Sequence, residues 1–176
     1  TEETSSRTAA QINSDIATAC TNFPTSKPII HLQTGTYSYS TTLSVPANCT
    51  VQLMGDGPQG FARLSWNAAG GGPMIKLASP AKAALRGFSM TGNGHGIEGI
   101  YVGSEDSVGS RVNMDMLNTG YANSSSDITL DSVAHTQANV VSTQLEGPHT
   151  TAYNVNVIGT GSLCGTGASC SRMVLT

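Results

Sequence analysis

From Ile30 onward the chain is made of short aliphatic runs with a period of two, and nothing else in the sequence limits the fold as tightly. Ile30 and Leu32 form the first run, Leu43 and Val45 the second, Val51 and Leu53 the third. Met74, Ile75 and Leu77 follow, then Leu85, Phe88 and Met90, then Ile97, Ile100 and Val102. Val112, Met114 and Met116 come next, then Ile128 and Leu130, Val140 and Val141, and finally Val155 and Val157. Each run spans about four to six residues and is closed by Gly, Asn, Ser or Pro. Successive side chains of a strand point to opposite faces, so each run reads as a strand with one buried side.

One stretch departs from this period. Over 8–20, Ala9, Ile12, Ile16 and Ala19 or Cys20 fall on one face of a helix. Thr8 with Gln11 has the spacing of a capping box, with Ser5 or Ser6 as rival caps, and Asn22, Phe23 and Pro24 stop the helix. Gly35-Thr36-Tyr37 is expected to turn. A β-sandwich of short strands needs two-residue hairpin turns, and few are present. A parallel β-helix instead needs short strands separated by corners and loops of irregular length, with aliphatic side chains stacked inside. Its terminal coil exposes unpaired backbone, so it also needs a cover, and the amphipathic helix has the apolar face for that. The expected fold is all-β, a parallel β-helix over 23–176 preceded by a segment with a capping helix over 1–22.

Composition narrows the function classes. Of 176 residues 38% are hydrophobic and 11% charged, with a net charge of −3. That length carries one domain with a real core. No basic stretch is present to neutralise phosphates, which disfavours nucleic acid as a partner, and no run of about 18 apolar residues spans a membrane. Abundant Ser, Thr, Asn and Gly over few charges suggest a secreted, extracellular protein. The four cysteines agree with an oxidising compartment. Cys164 and Cys170 flank a Gly-rich segment and are placed to close a small loop, leaving Cys20 to pair with Cys49; four buried thiols are the competing reading. Two glycosylation sequons occur, at Asn48 and Asn123. The chain begins without Met and ends on the strand-like R-M-V-L-T of 172–176, which points to a processed chain or a piece of a longer β-helix.

The segments I-I-H-L-Q-T-G-T-Y (29–37) and L-S-V-P-A-N-C-T-V-Q-L-M-G-D-G (43–57) resemble the entry to pectate-lyase-like right-handed β-helix proteins. Members of that superfamily often open with a helix rich in Ala, Ile and Asp, here T-A-A-Q-I-N-S-D-I-A-T-A-C. A strand, a G-T-Y turn, an aliphatic-Pro step and a strand ending in G-x-G then follow in order. A-A-L-R-G-F-S-M-T-G (83–92) resembles the next coil. Gln33 stands where the family often has Pro. The resemblance covers about the first hundred residues and implies a right-handed parallel β-helix. It leaves the activity open, because members include polysaccharide lyases, glycoside hydrolases, epimerases and phage tailspikes.

In enzymes of that kind, outward polar side chains line a groove for a polysaccharide. Alternation turns Asp115, Asp131 and Asn156 outward, and if their strands stack in one sheet they form a polar row. Carboxylates about 5 to 9 Å apart serve as acid and nucleophile, or acid and base, in glycoside hydrolysis, and like charges so close raise one pKa. Asp115 and Asp131 are 16 positions apart, short for a full coil, so two solvated carboxylates on different faces compete with this reading. His135, four residues after Asp131, is placed to assist as acid or base. Trp66 stacks on a sugar ring or packs near Leu64. A lyase needs a base, and Lys76, Lys82, Arg86 and Arg111 are available mid-chain, Arg111 as a substrate contact. It also needs a cation to neutralise a uronate. No protein-held metal is expected, except that Glu105-Asp106 in a Gly/Ser-rich loop would offer oxygens to Ca²⁺ in a lyase. Gly94-His95-Gly96 resembles a polygalacturonase segment, but that family's N-T-D, paired-Asp and R-I-K segments are absent, so a loop is expected. His31 is expected to be structural, and Met90, Met114 and Met116 to fill the core.

Three readings follow. The chain is a carbohydrate-active enzyme that cleaves a polysaccharide by hydrolysis or β-elimination, a noncatalytic glycan-binding module of the tailspike or adhesin type, or a structural piece of a larger β-helix that needs further chain or a homo-oligomeric partner.

Overall fold

The computed structural model describes residues 2–58, 61–93, 95, 98–108, 111–115, 118–120, 128–134, 137–141, 144–146 and 155–158. Strand β1 (Glu2–Glu3) precedes helix α1 (Ala9–Asn22). The first circuit of strands is β2 (Ile29–Leu32), β3 (Gly35–Tyr39) and β4 (Leu43–Val45). The second is β5 (Gln52–Gly55), β6 (Ala62–Trp66) and β7 (Ile75–Ala78), and the third β8 (Ala84–Arg86), β9 (Ser89–Thr91) and β10 (Ile100–Val108). Then come β11 (Arg111–Asp115), β12 (Asn118–Gly120) and β13 (Ile128–Ala134), followed by β14 (Gln137–Val141), β15 (Gln144–Glu146) and β16 (Val155–Ile158).

These strands make three sheets, ordered β1-β2-β5-β8-β11-β14, β15-β12-β9-β6-β3 and β16-β13-β10-β7-β4. Consecutive strands from β2 visit the three in fixed rotation, and neighbours within each sheet run parallel. The chain is thus mostly strand with a single helix among the described residues, compatible with the expected parallel β-helix. One circuit takes 23 positions from Ile30 to its partner Leu53 but 32 from Leu53 to Leu85. The strands hold the register while the corners absorb the difference.

Register stacks like on like. Ile30, Leu53, Leu85 and Met114 are consecutive partners in the first sheet, and all four are fully buried. Leu43, Ile75, Ile100 and Ile128 form a second column, and Val45, Leu77, Val102 and Leu130 a third. Tyr37, Leu64 and Met90 stack in the remaining sheet. Each buried aliphatic side chain contributes about 1.5–3 kcal/mol, and stacking lets each fill the gap above its neighbour. The corner after β5 is closed by backbone: a Cβ on Gly55 would lie 2.4 Å from the carbonyl oxygen of Gly87, which itself sits at φ 71°. That contact explains Gly55 in L-M-G-D-G and Gly87 in L-R-G-F.

Helix α1 covers the near end with Ile12 and Ile16 at 0% exposure. The Thr8/Gln11 capping box forms as its spacing predicts, with the Thr8 amide donating to Gln11 Oε1 at 2.8 Å. Asn13 reaches the edge of β4: its Nδ2 donates to the Thr42 carbonyl at 2.9 Å and its Oδ1 accepts from the Ser44 amide at 2.8 Å. The side-chain amide thereby replaces one peptide group of a missing strand. Strand β1 covers the edge of β2. Cys20 and Cys49 form a disulfide, as the cysteine arithmetic anticipates, while Cys164 and Cys170 lie outside the described residues.

Three expectations are corrected. Gly35-Thr36-Tyr37 opens strand β3 instead of turning, because Tyr37 and Tyr39 point into the core. Leu85, Phe88 and Met90 belong to two strands and the Gly87 corner between them. Glu105 and Asp106 lie on β10, not in a loop.

Candidate functional site

The most concentrated polar chemistry among the described residues lies on the outer side of the sheet β16-β13-β10-β7-β4. Ile75, Leu77, Ile100, Val102, Ile128 and Leu130 fill the core side, so the residues between them face away from it. Register puts Lys76, Tyr101, Thr129 and Asn156 in one row, and Ala78, Gly103, Asp131 and Ile158 in the next. Neighbouring strands lie about 4.8 Å apart, which sets the spacing of positions along each row.

One hydrogen bond links the two rows, and a second ties the first row to Glu98. The Tyr101 hydroxyl donates to Asp131 Oδ2. The Thr129 hydroxyl donates to Glu98 Oε1 at 2.7 Å. Asp131 is 2% exposed and Thr129 0%, so the aspartate is sheltered although it points away from the core. Burial pushes the Tyr101 phenol well above its ordinary range; the hydrogen bond to Asp131 adds to this, followed by the charges of Asp131 and Glu98. Tyr101 therefore stays a proton donor throughout neutral pH. The backbone closes tightly beneath: a Cβ on Gly103 would lie 1.9 Å from the Asp131 carbonyl oxygen, and the β10–β13 register shifts after Gly103. The two carboxylates can accept hydrogen bonds from sugar hydroxyls and move a proton, the phenol and the Thr129 hydroxyl can donate or accept, and the row's Lys76 can donate.

The structure joins only part of the expected row. Asp131 and Asn156 lie on adjacent strands, but Asn156 partners Thr129, while Ile158 partners Asp131. Asp115 is on a different sheet, in register with Arg86 and Val141. The reason is arithmetic. Asp115 partners Arg86, 29 positions earlier, and Asp131 partners Gly103, 28 earlier, so 16 residues fall well short of a circuit. Trp66 is a core residue at 2% exposure, opposite Tyr39, with its indole N–H donating to the Gly70 carbonyl at 3.0 Å; no ring face is left for a sugar. Arg111 is on β11 opposite Gln137, on the same sheet as Asp115. His135 lies outside the described residues. Tyr101, Thr129 and Glu98 escape the sequence reading, although Tyr101 between Ile100 and Val102 carries the same outward alternation as Asp131.

A second polar pair occupies the outer side of the first sheet, where His31, Met54 and Arg86 form a row whose register continues to position 115. His31 Nδ1 lies 2.8 Å from Asp56 Oδ1, and both side chains are more than a third exposed. This half-exposed pairing fits the structural role expected of His31. His95 sits in a turn, its amide bonded to the Gly92 carbonyl at 2.9 Å. Among the described residues no three His, Cys, Asp or Glu side chains gather to hold a metal ion. No protein-family model, curated protein or solved structure matches this chain.

Proposed function

We propose that this chain is a right-handed parallel β-helix of the pectate-lyase-like kind, secreted, that binds an extracellular polysaccharide and cleaves it by hydrolysis or β-elimination. The observation that carries this reading is Asp131, a sheltered carboxylate on the outward side of a three-sheet stack, held by Tyr101 beside the Glu98–Thr129 pair. Asp131 and Glu98 take the acid and base roles, with Tyr101 as the proton donor fixed against Asp131. Lys76 and Asn156, in the same row as Tyr101, take the sugar contacts. The reading assigns no resident cofactor; Ca²⁺ enters only in the β-elimination form, as the cation that neutralises a uronate. The Cys20–Cys49 disulfide supports an oxidising compartment.

The test is incubation with neutral and acidic polysaccharides, with and without Ca²⁺, reading reducing ends and the absorbance of unsaturated products. Asp131→Asn and Glu98→Gln should each lower turnover by about a hundredfold or more. Silence across the panel refutes cleavage. A noncatalytic glycan-binding module is the second reading, favoured by the 2% exposure of Asp131, which leaves little room for substrate at the carboxylate. It predicts saccharide binding that survives Asp131→Asn.

A further inference from the structure

The near end of the molecule presents three sheet edges, and they are not treated alike. The edge of β2 is covered by β1, and that of β4 by the Asn13 side-chain amide. The third sheet ends at β3, with no strand beyond it among the described residues. A cleft of about 340 Å³ lies there, bounded on one side by 5–10 and on the other by Thr36, Ser38, Tyr39, Ser40 and Thr41.

The backbone of β3 is set for pairing on that side. The Gly35 amide donates to the Phe61 carbonyl at 2.8 Å, and the Asn67 amide to the Tyr39 carbonyl at 2.8 Å. In a parallel ladder a residue gives both its N–H and its C=O to one neighbour, and the next residue gives both to the other. Gly35, Tyr37 and Tyr39 therefore serve β6, and the N–H and C=O of Thr36 and Ser38 point out of the sheet edge. Both residues are exposed. Tyr39, 2% exposed with a hydroxyl that has no hydrogen-bond partner, also lines the cleft.

The lining selects among ligands. Tyr39 is its single aromatic and is buried, so no ring is presented for a sugar to stack on. Arg7 is its single cation, and the guanidinium is already shared by Glu3 and Asp15, so a polyanion finds no free charge. What remains is a wall of hydroxyls around an unpaired strand edge.

We propose that this cleft binds an extended peptide segment, which adds as a strand beside β3 through the backbone groups of Thr36 and Ser38. The main chain supplies the affinity, and the hydroxyl wall admits small polar side chains. The site is separate from the Asp131 face and holds whether or not that face is catalytic.

The probe is the capped peptide acetyl-Val-Thr-Val-Thr-Val-amide, titrated into the intact chain and followed by amide NMR and hydrogen exchange. The expected result is saturable shifts at 36–41, with slowed exchange of the Thr36 and Ser38 amides. The same peptide methylated at every backbone nitrogen should bind at least about tenfold more weakly, because it loses two or more hydrogen bonds. Ser38→Pro removes one outward donor at an edge that tolerates proline, and should weaken binding about fivefold. The methylated peptide tests the same bonds on unaltered protein if that variant misfolds. Equal binding of the methylated peptide overturns the proposal, as does unchanged exchange at Thr36 and Ser38. Protection by oligosaccharides instead, or by self-association without peptide, also overturns it, in favour of a glycan or a second copy respectively.

Discussion

Asn13 is the smallest change that tests how the near end is closed. Its amide makes two hydrogen bonds to the β4 edge, one half-buried to the Thr42 carbonyl and one more exposed from the Ser44 amide. A net hydrogen bond is worth about 1 kcal/mol when sheltered and less near water, so Asn13→Ala should cost about 1.5 kcal/mol. For a chain of this length that corresponds to a fall in Tm of about 3–6 °C. Asn13→Asp keeps the acceptor for Ser44 but sets a carboxylate oxygen against the Thr42 carbonyl, so its stability should not exceed that of the wild type. Asn13→Leu adds apolar surface yet restores neither bond, and should resemble the alanine variant. Urea denaturation at constant m-value measures the cost, and hydrogen exchange locates it: the Ser44 amide should lose protection while amides in the β11–β14 pairing stay unchanged. If Asn13→Ala lies within about 0.3 kcal/mol of the wild type, or the Ser44 amide keeps its protection, the side chain does not stand in for a strand and the account of the cap is wrong.

Two further outcomes are expected. Replacing Cys20 and Cys49 by Ser opens a loop of 29 positions, and the chain-entropy relation puts the loss near 3.5 kcal/mol, measured by denaturation of the double variant against the oxidised protein. Burial, then the charges of Glu3 and Asp56, pushes the Tyr37 phenol up to about 12, and burial first also raises Tyr39 and Tyr101. Folding therefore favours the neutral phenols: the contribution of Tyr37 is fully present below about pH 10 and is lost as pH climbs through about 12, those of Tyr39 and Tyr101 at higher pH still, so unfolding free energy should fall as pH rises from about 10. Ultraviolet titration of the folded chain should lag that of the unfolded chain; coincident curves would refute the buried-phenol reading.

Much of the architecture is legible because it rests on local signals. The capping box needs only Thr8 and Gln11, and the columns Leu43–Ile75–Ile100 and Val45–Leu77–Val102 are written as alternation within short runs. Strand β6 is harder to read because Ala62, Leu64 and Trp66 alternate with Arg63 and Ser65 between glycine-rich neighbours, and β12 and β15 offer three residues each. Corners are harder still, since a glycine such as Gly87 reads as the end of a run when it is a bend between two strands. The site suffers most, because membership of a row depends on the whole length of the circuit. Asp115 and Asp131 carry the same local alternation, and only the intervals of 28 and 29 positions separate their sheets. Tyr101 and Glu98 become visible only when register brings them to Asp131 and Thr129.

The Cys20–Cys49 bond has a mechanical consequence. It encloses the whole first circuit, β2 to β4, in a covalent loop between the end of α1 and the corner beyond Val45. Tension on the amino terminus can strip β1 and unwind α1, but at Cys20 the load passes through sulfur straight to Cys49. The enclosed rungs carry none of it until a reductant cuts the bypass.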